Sequence, residues 1–532
     1  MVIDTSKNLP ENSKIATTYL GHQWLDKAGY KNNRLIITAI KTSLLLFSIV
    51  FLLLLFSSTT YALSLNAKAP IYELSWDGNS STIKVDITYY TASPKNTFAF
   101  INDIGNQKNI FRSMHIIKVN DDDKITIDSI KRELTITHNP STALHFSYEF
   151  DGHLNINIKN AIPNELFKPI IESGVLRAKA INFLMKIKEI QAEDIMINWK
   201  QIPEDLPYFV SILPDATTKS VLRVKEKDFN DLIFFMGKDL IIKTHAIRHD
   251  KYYEITSSRD TINKMQTALK PFFDVFFPRA YDFWQDDKSG PYFLFSAPFY
   301  TPEQKTNSGY AAGKHGFVMI YQGKYTLNNT MIVAHETSHR WIGGELRITE
   351  HGDKYTWFSE GVNDYITYFL LAGSAMINKE EFVSEANKNR FEALYKNPVN
   401  ALPADSISKH FWDGYDYIQL SYQRGFLYGF VLDNQIRIAS KGKKTMRDFL
   451  LLLLEKQRLS RNKEITYNDF IEVGSYFIPK EIFKKDVEEH MIKGTLYDFS
   501  KIKLINGYRI NYKNGIPSLE ISPDTDIKQI YS

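Results

Sequence analysis

The chain has 532 residues, 43% hydrophobic and 24% charged, a globular composition with room for roughly two to four domains that excludes a disordered scaffold. Its 65 basic and 61 acidic residues are spread along the chain for a net charge of +4, without the basic stripe that a phosphate backbone needs, so no nucleic-acid partner is expected. With no cysteine there are no thiolate metal sites, disulfides or cysteine nucleophiles, and any metal is left to His and carboxylate ligands.

Thr42 to Ala67 carry no charge, and their apolar centre, Leu44 to Phe56, is suited to a membrane. Lys27, Lys31, Arg34 and Lys41 precede this stretch. The positive-inside bias therefore assigns residues 1–41, a leader or long n-region, to the cytoplasm and the body of the chain to the far side. Thr60-Tyr61-Ala62 resembles a cleavage site, so residues 42–62 are expected to be either a signal peptide or an uncleaved membrane anchor. The body is expected in the periplasm or cell envelope.

Residues 68–251 read as a β-rich domain. Ile83, Val85, Ile87 and Tyr89 alternate with polar residues, as do Ile125 and Ile127, Leu134 and Ile136, and Leu154, Ile156 and Ile158. Turn signals such as Asp77-Gly78-Asn79 separate the runs, which suits an antiparallel arrangement of short strands. His115, His138, His145 and His153 lie here without ligand spacing and read as surface or core histidines.

The period changes near Asp260. Ile262, Met265, Leu269, Phe272, Phe273 and Phe276 recur at helical spacing, and Pro278 is expected to stop the run. A catalytic domain is placed at 255–375. Pro291 to Tyr300 and His315 to Tyr321 read as buried strands, the second with Gly316 where a backbone needs close approach. Its residues Gly316, Phe317, Val318 and Met319 are expected to form an edge strand to which an extended peptide adds.

Asn328 and Asn329 are candidate caps for the next helix, and Gly343-Gly344 ends it. This helix carries His335-Glu336-Thr337-Ser338-His339. Two imidazoles four residues apart rise from one helical face, with Glu336 flanking it. The pattern suits a catalytic zinc, one per chain, in which His335 and His339 are ligands and Glu336 takes a proton from a water that the metal activates.

Such a site needs a third protein ligand. A compact solution takes a residue six positions after the second His, behind a Gly at the third; those positions hold Glu345 and Ile342 and fit it poorly. The other solution takes a Glu from the following helix, opened here by Trp357-Phe358-Ser359-Glu360-Gly361, and makes Glu360 the ligand. Asp364, one turn on, is placed either to accept a ring N–H from His335 or His339, or to stand as a solvated helix charge. His315 and His351 have no ligand spacing. Residues 376–515 read as a helical domain and 516–532 as a tail. Leu450 to Leu454 is too short to span a membrane and reads as a core helix.

HETSHRWIGG followed by WFSEGVNDY resembles the gluzincin metallopeptidases, and WFSEG with Asp364-Tyr365 is most similar to the glycyl aminopeptidase family. Tyr422-Gln423-Arg424-Gly425 resembles the Tyr-x-Lys-Gly helix of the same enzymes, and weaker similarity runs through EEHMIKGTLYDF and INGYRI. The resemblance covers roughly residues 255–510. It implies a multidomain α+β protein with an N-terminal antiparallel β-rich domain, a thermolysin-like α+β catalytic domain and a C-terminal helical domain. It also implies that Tyr422 donates a hydrogen bond to the developing oxyanion.

Three departures stand out. The loop from His339 to Glu360, 20 residues, is slightly longer than in the larger aminopeptidase family of the clan. HGFVMIYQG stands where related exopeptidases have a Gly-containing strand followed by a glutamate that holds the substrate's free amine, and no acidic residue occurs between Gly309 and Thr330. The stretch past Arg509 is too short for the PDZ domain in which many glycyl aminopeptidases end. The expectation is an exported zinc peptidase, aminopeptidase-like, acting on a peptide or protein. The alternatives are an endopeptidase or other zinc hydrolase of this fold, and, in another class, a catalytically idle peptide-binding envelope protein.

Overall fold

The structure, a computed structural model, describes residues 69–531 apart from 101–109, 154–168, 189, 191–192, 261–264, 288–289, 299–306, 313, 349–354, 412 and 461–463. The expected membrane segment, the run from Leu154 to Ile158, and His351 lie outside the described residues. Among those described, no helix is long and apolar enough to cross a membrane.

The alternating patterns build the expected β-rich region. In Thr82–Tyr89 every second residue is buried, so one face of the strand enters the core while Lys84 and Asp86 stay outside it. This strand is interior to a six-stranded sheet with Leu222–Lys225, Asp194–Gln201, Ile71–Ser75, Leu144–Asp151 and Met114–Val119. Pairing is antiparallel except between Ile71–Ser75 and Asp194–Gln201. Leu134 and Ile136 are also buried, but Ile127 is exposed because Lys124–Asp128 is the edge of its four-stranded sheet.

A mixed five-stranded sheet carries the site. Its order is Leu240–Ile247, Asp250–Ser257, Tyr292–Pro298, Gly316–Tyr321, Ser308–Ala311. The hairpin 240–257, most of which the sequence reading assigns to the β-rich region, therefore belongs to this sheet. Asp250–Ser257 pairs in parallel with Tyr292–Pro298, which pairs in parallel with Gly316–Tyr321. Gly316 is required by close approach: an ideal Cβ there would lie 2.2 Å from Phe293 Cδ1 and 2.3 Å from its carbonyl oxygen.

The aromatic helix after Asp260 does not stop at Pro278. It runs as Met265–Pro271, a π-turn Phe272–Phe276 and Phe277–Trp284, ending at Gln285 in a left-handed conformation. A wider π-turn immediately ahead of Pro278 loosens the stretch in which a proline ring would otherwise strike the carbonyl four residues back. Phe272, Phe273, Phe276 and Phe277 are all buried.

The helices after residue 375 share one hydrophobic core with the mixed sheet, from Tyr252 and Leu294 to Leu450 and Tyr531. Leu450, Leu453 and Leu454 point into this core from the helix Met446–Leu459. The expected tail is also structured. Ile516–Ile521 pairs with Tyr508–Lys513, and the buried Tyr531 packs with its ring 4.8 Å from that of Phe369 and accepts a hydrogen bond from the Tyr508 hydroxyl at 2.9 Å.

The longest described helix, Tyr415–Ala439, crosses the segment that begins at Trp357 with backbone against backbone. An ideal Cβ on Gly361 would lie 2.4 Å from Gly425 Cα, and one on Gly425 only 1.9 Å from the Trp357 carbonyl oxygen. Gly425→Ala is expected to destabilise the protein by about 1–3 kcal/mol through overpacking. Gly290→Ala, where an added Cβ meets nothing within 4 Å, should leave the midpoint of chemical denaturation unchanged.

Candidate metal centre

The helix Leu327–Ser338 rises directly from the strand Gly316–Tyr321. Its N-cap is Thr326, whose backbone N–H donates to the Asn329 side chain at 2.9 Å, so Asn329 serves at the third helical position and not as the cap itself. His335 and Glu336 lie in the last turn, and His339 is the C-cap residue. Gly343, at φ +86°, turns the chain back beneath His339, as the paired glycines predict.

Glu360 comes from the π-turn Trp357–Val362, which continues into the helix Asn363–Gly373. Asn363 donates to the His335 carbonyl oxygen at 3.0 Å and locks the two helices together at the site. This contact has no signature in the sequence motif beyond its place three residues after Glu360.

The three expected ligands converge. His335 Nε2 and His339 Nε2 each lie 3.3 Å from Glu360 Oε2, and the three donor atoms are all within 4.8 Å of one another. A tetrahedral zinc with bonds of about 2.0–2.1 Å has neighbouring donors about 3.3 Å apart. The other ring nitrogens are occupied: His335 Nδ1 bonds Asp364 Oδ1 at 3.2 Å, and His339 Nδ1 donates to the Ile342 carbonyl oxygen at 3.0 Å. In the neutral form with the hydrogen on Nδ1, which is the form that binds a metal, each ring turns its Nε2 lone pair to the common point. The donor set thus fits zinc without rearrangement.

Charge is balanced within the cluster. Burial disfavours the cationic His335, but its hydrogen bonds to Asp364 and Glu360 outweigh this and raise it to about 10. Burial pushes the Glu360 carboxyl up, whereas His339 and His335 hold it far below the usual carboxylate range. Glu336 is buried beside the ligands, and burial raises it despite the opposing effect of His339 and His335. Tyr422 stands with its ring 5.4 Å from that of His335. Burial, then the negative charges of Glu360 and Glu336, hold its phenol well above the usual value.

Asp364 is buried at the His335 ring and is not a solvated helix charge; Arg390 binds its second oxygen. The edge-strand expectation needs correction. Gly316–Tyr321 is interior, flanked by Tyr292–Pro298 on one side and by Ser308–Ala311 on the other. Gly316, Phe317, Val318 and Met319 therefore spend their backbone hydrogen bonds within the sheet and do not offer them to a peptide. The edge is Ser308–Ala311, where an ideal Cβ on Gly309 would lie 2.8 Å from Glu336 Cγ. His315 is half-buried and His138 hydrogen-bonds Asn96 at 3.0 Å; among the described residues neither belongs to the group of His335, His339 and Glu360 that could hold a metal.

No family model matches the chain, and a search of curated proteins finds no match. Solved structures do share the fold. An aminopeptidase N family protein from Idiomarina loihiensis superposes with a TM-score of 0.66 at 12% identity, covering 86% of each chain. An M1 zinc metallopeptidase from Deinococcus radiodurans, a glutamate-to-alanine mutant bound to a Tyr-Ser-Ala substrate, gives 0.50 at 12% identity over 81% of this chain and 94% of its own. The chain therefore has the multidomain α+β fold found in M1 zinc metallopeptidases. The gluzincin resemblance agrees with this fold; the narrower likeness to glycyl aminopeptidases rests on the motifs alone.

Purified protein is expected to hold one zinc per chain after dialysis, measured by elemental analysis. Glu360→Gln should weaken zinc by more than the roughly 10–100-fold typical of losing an outer-sphere partner, with competition against a chromogenic chelator as the measurement.

Proposed function

We propose that this protein is a zinc-dependent peptidase, aminopeptidase-like in action, that hydrolyses peptide bonds with Glu336 as general base. The observation that carries this reading is the convergence of two imidazole Nε2 atoms and one carboxylate oxygen, with a second buried carboxylate, Glu336, beside them.

Zinc, when bound by His335, His339 and Glu360, supplies Lewis-acid polarisation of the scissile carbonyl and activates water at neutral pH. Glu336 receives the proton of the attacking water and passes it to the leaving amine, serving first as base and then as acid. Burial favours this double duty, because a carboxyl raised above its ordinary value gains and loses a proton closer to neutrality. Tyr422 remains protonated throughout the neutral range and so remains a donor to the oxyanion. Asp364 keeps the His335 ring in the tautomer that leaves Nε2 free. An extended peptide added to Ser308–Ala311 would run alongside Glu336, because Gly309 lets the backbone pass against that side chain.

We further infer that the body of the protein is exported, with residues 42–62 as signal peptide or anchor. The charge-free Thr42 to Ala67 after Lys27, Lys31, Arg34 and Lys41 supports this.

Glu336→Gln is expected to retain zinc and lower kcat by about 10²–10⁴-fold, and Tyr422→Phe by about 10²–10³-fold. An unchanged rate for Glu336→Gln would sink the mechanism. Digestion of a peptide library, with and without chelator and followed by mass spectrometry, should give stepwise trimming from the N-terminus. Internal cuts would replace the aminopeptidase reading with an endopeptidase one.

A further inference from the structure

We propose that Arg390 is a positioning residue for the metal centre, holding Asp364 so that His335 presents Nε2 to the cation. This rests on the zinc reading above and extends it to a residue that no motif marks. Arg390 lies on the π-turn Asn387–Phe391, well away in sequence from the ligands. Its side chain is only 13% exposed. Nε binds Asp364 Oδ2, and Nη1 donates to the Asn389 carbonyl oxygen at 2.8 Å.

The two oxygens of Asp364 are thus divided: Oδ1 faces His335 Nδ1 at 3.2 Å and Oδ2 faces Arg390. The arrangement removes an ambiguity that Asp364 alone would leave. A buried carboxyl with one partner can rotate, or carry a proton on its free oxygen and donate to an imidazole. With Arg390 on Oδ2 both oxygens accept, and the hydrogen of the His335–Asp364 contact belongs to Nδ1. The opposite tautomer would point an N–H from Nε2 into the site and exclude a metal. The guanidinium reaches Oδ2 through Nε while Nη1 binds the Asn389 carbonyl oxygen, so its donors in fixed directions hold Asp364 to the backbone of the turn, which a single ammonium does less well.

Arg390 is itself held. Asn389 donates to Glu385 Oε2 at 2.6 Å, and the ring of Phe391 packs 5.3 Å from that of Phe430 on the Tyr422 helix. The guanidinium therefore ties the turn at 387–391 and the Tyr422 helix to the carboxylate behind His335.

The test measures zinc affinity by chelator competition and zinc release by stopped flow for wild type, Arg390→Gln, Arg390→Lys, Asp364→Asn and the double variant Asp364→Asn/Arg390→Gln. Arg390→Gln is expected to weaken zinc about 10–100-fold, and Arg390→Lys by less. The double variant should be no weaker than Asp364→Asn alone, because Arg390 acts through Asp364. That variant leaves no unpaired buried charge, so the comparison stands even where Arg390→Gln alone does not fold. Affinity of Arg390→Gln within about twofold of wild type, or effects of the two substitutions that multiply, would overturn the proposal. A wild-type protein that binds no zinc would overturn the metal reading itself, a result distinct from equal affinity across the variants.

Discussion

The placement of the reacting groups depends on one steric constraint: the segment carrying Glu360 and the helix carrying Tyr422 meet backbone to backbone at Gly361 and Gly425. A side chain at either position would intrude on main-chain atoms, so the two segments cannot approach this closely with any residue but glycine. Glu360 precedes one glycine by a single residue, and Tyr422 precedes the other by three. The crossing therefore brings the carboxylate and the phenol to the same point, and Thr356 and Ser421, 2.9 Å apart through their hydroxyls, close it on one side. The Asn363 contact to the His335 carbonyl oxygen then fixes this pair of segments against the histidine helix.

Close packing of this kind concentrates charge in a dry place, and the cluster survives because most of its charges have named partners. An isolated buried carboxylate is strongly disfavoured, and breaking a buried pair leaves its partner exposed to the same penalty. Glu360 faces two imidazoles, and Asp364 faces His335 and Arg390. Glu336 is different. Burial dominates it and the imidazoles offset burial only in part, so it is the carboxylate whose proton affinity is pushed up while that of Glu360 is pushed down. Two carboxylates flanking one pair of histidines are thus pushed in opposite directions by environment alone, the separation that the proposed division into ligand and proton carrier requires.

What could be read from the sequence follows the range over which each signal acts. His335, Glu336 and His339 are legible because one helical turn sets their relation, and Glu360 and Asp364 because the next helix repeats the same local rule. The β-rich region is legible where one strand face is buried, as at Ile83, Val85 and Ile87, and fails at Ile127, where the strand is an edge. Ser308–Ala311 is not legible because four half-exposed residues including a glycine carry no period. The run Gly316–Tyr321 held the information needed to reject it as an edge: six consecutive buried residues describe a strand covered on both faces and flanked on both sides, whereas an exposed edge alternates or carries charge. Arg390 and Gly309 reach the site only through tertiary packing, and no spacing rule leads to them.

The histidine helix presents a further mechanical problem, since His339 lies just beyond the last regular turn, where a helix end frays most easily. The next residue meets that problem. Arg340 is buried in a cage of Tyr252, Tyr281 and Tyr292, with its guanidinium carbon 5.0–5.8 Å from their rings, and donates to the Gly290 carbonyl oxygen at 2.6 Å and to Asp250 Oδ2 at 3.3 Å. These contacts are rooted in the mixed sheet and the aromatic helix that packs on it. A cation gripped by aromatic faces and a buried carboxylate resists displacement along any direction. The backbone that leads out of the helix is consequently pinned one residue past His339, while the Ile342 carbonyl oxygen and the turn at Gly343 pin its ring from the other side. His339, the proposed ligand at the helix end, is therefore held by the sheet behind it, not by the helix ladder, which is why the domain needs both layers to present three donor atoms within zinc-binding reach.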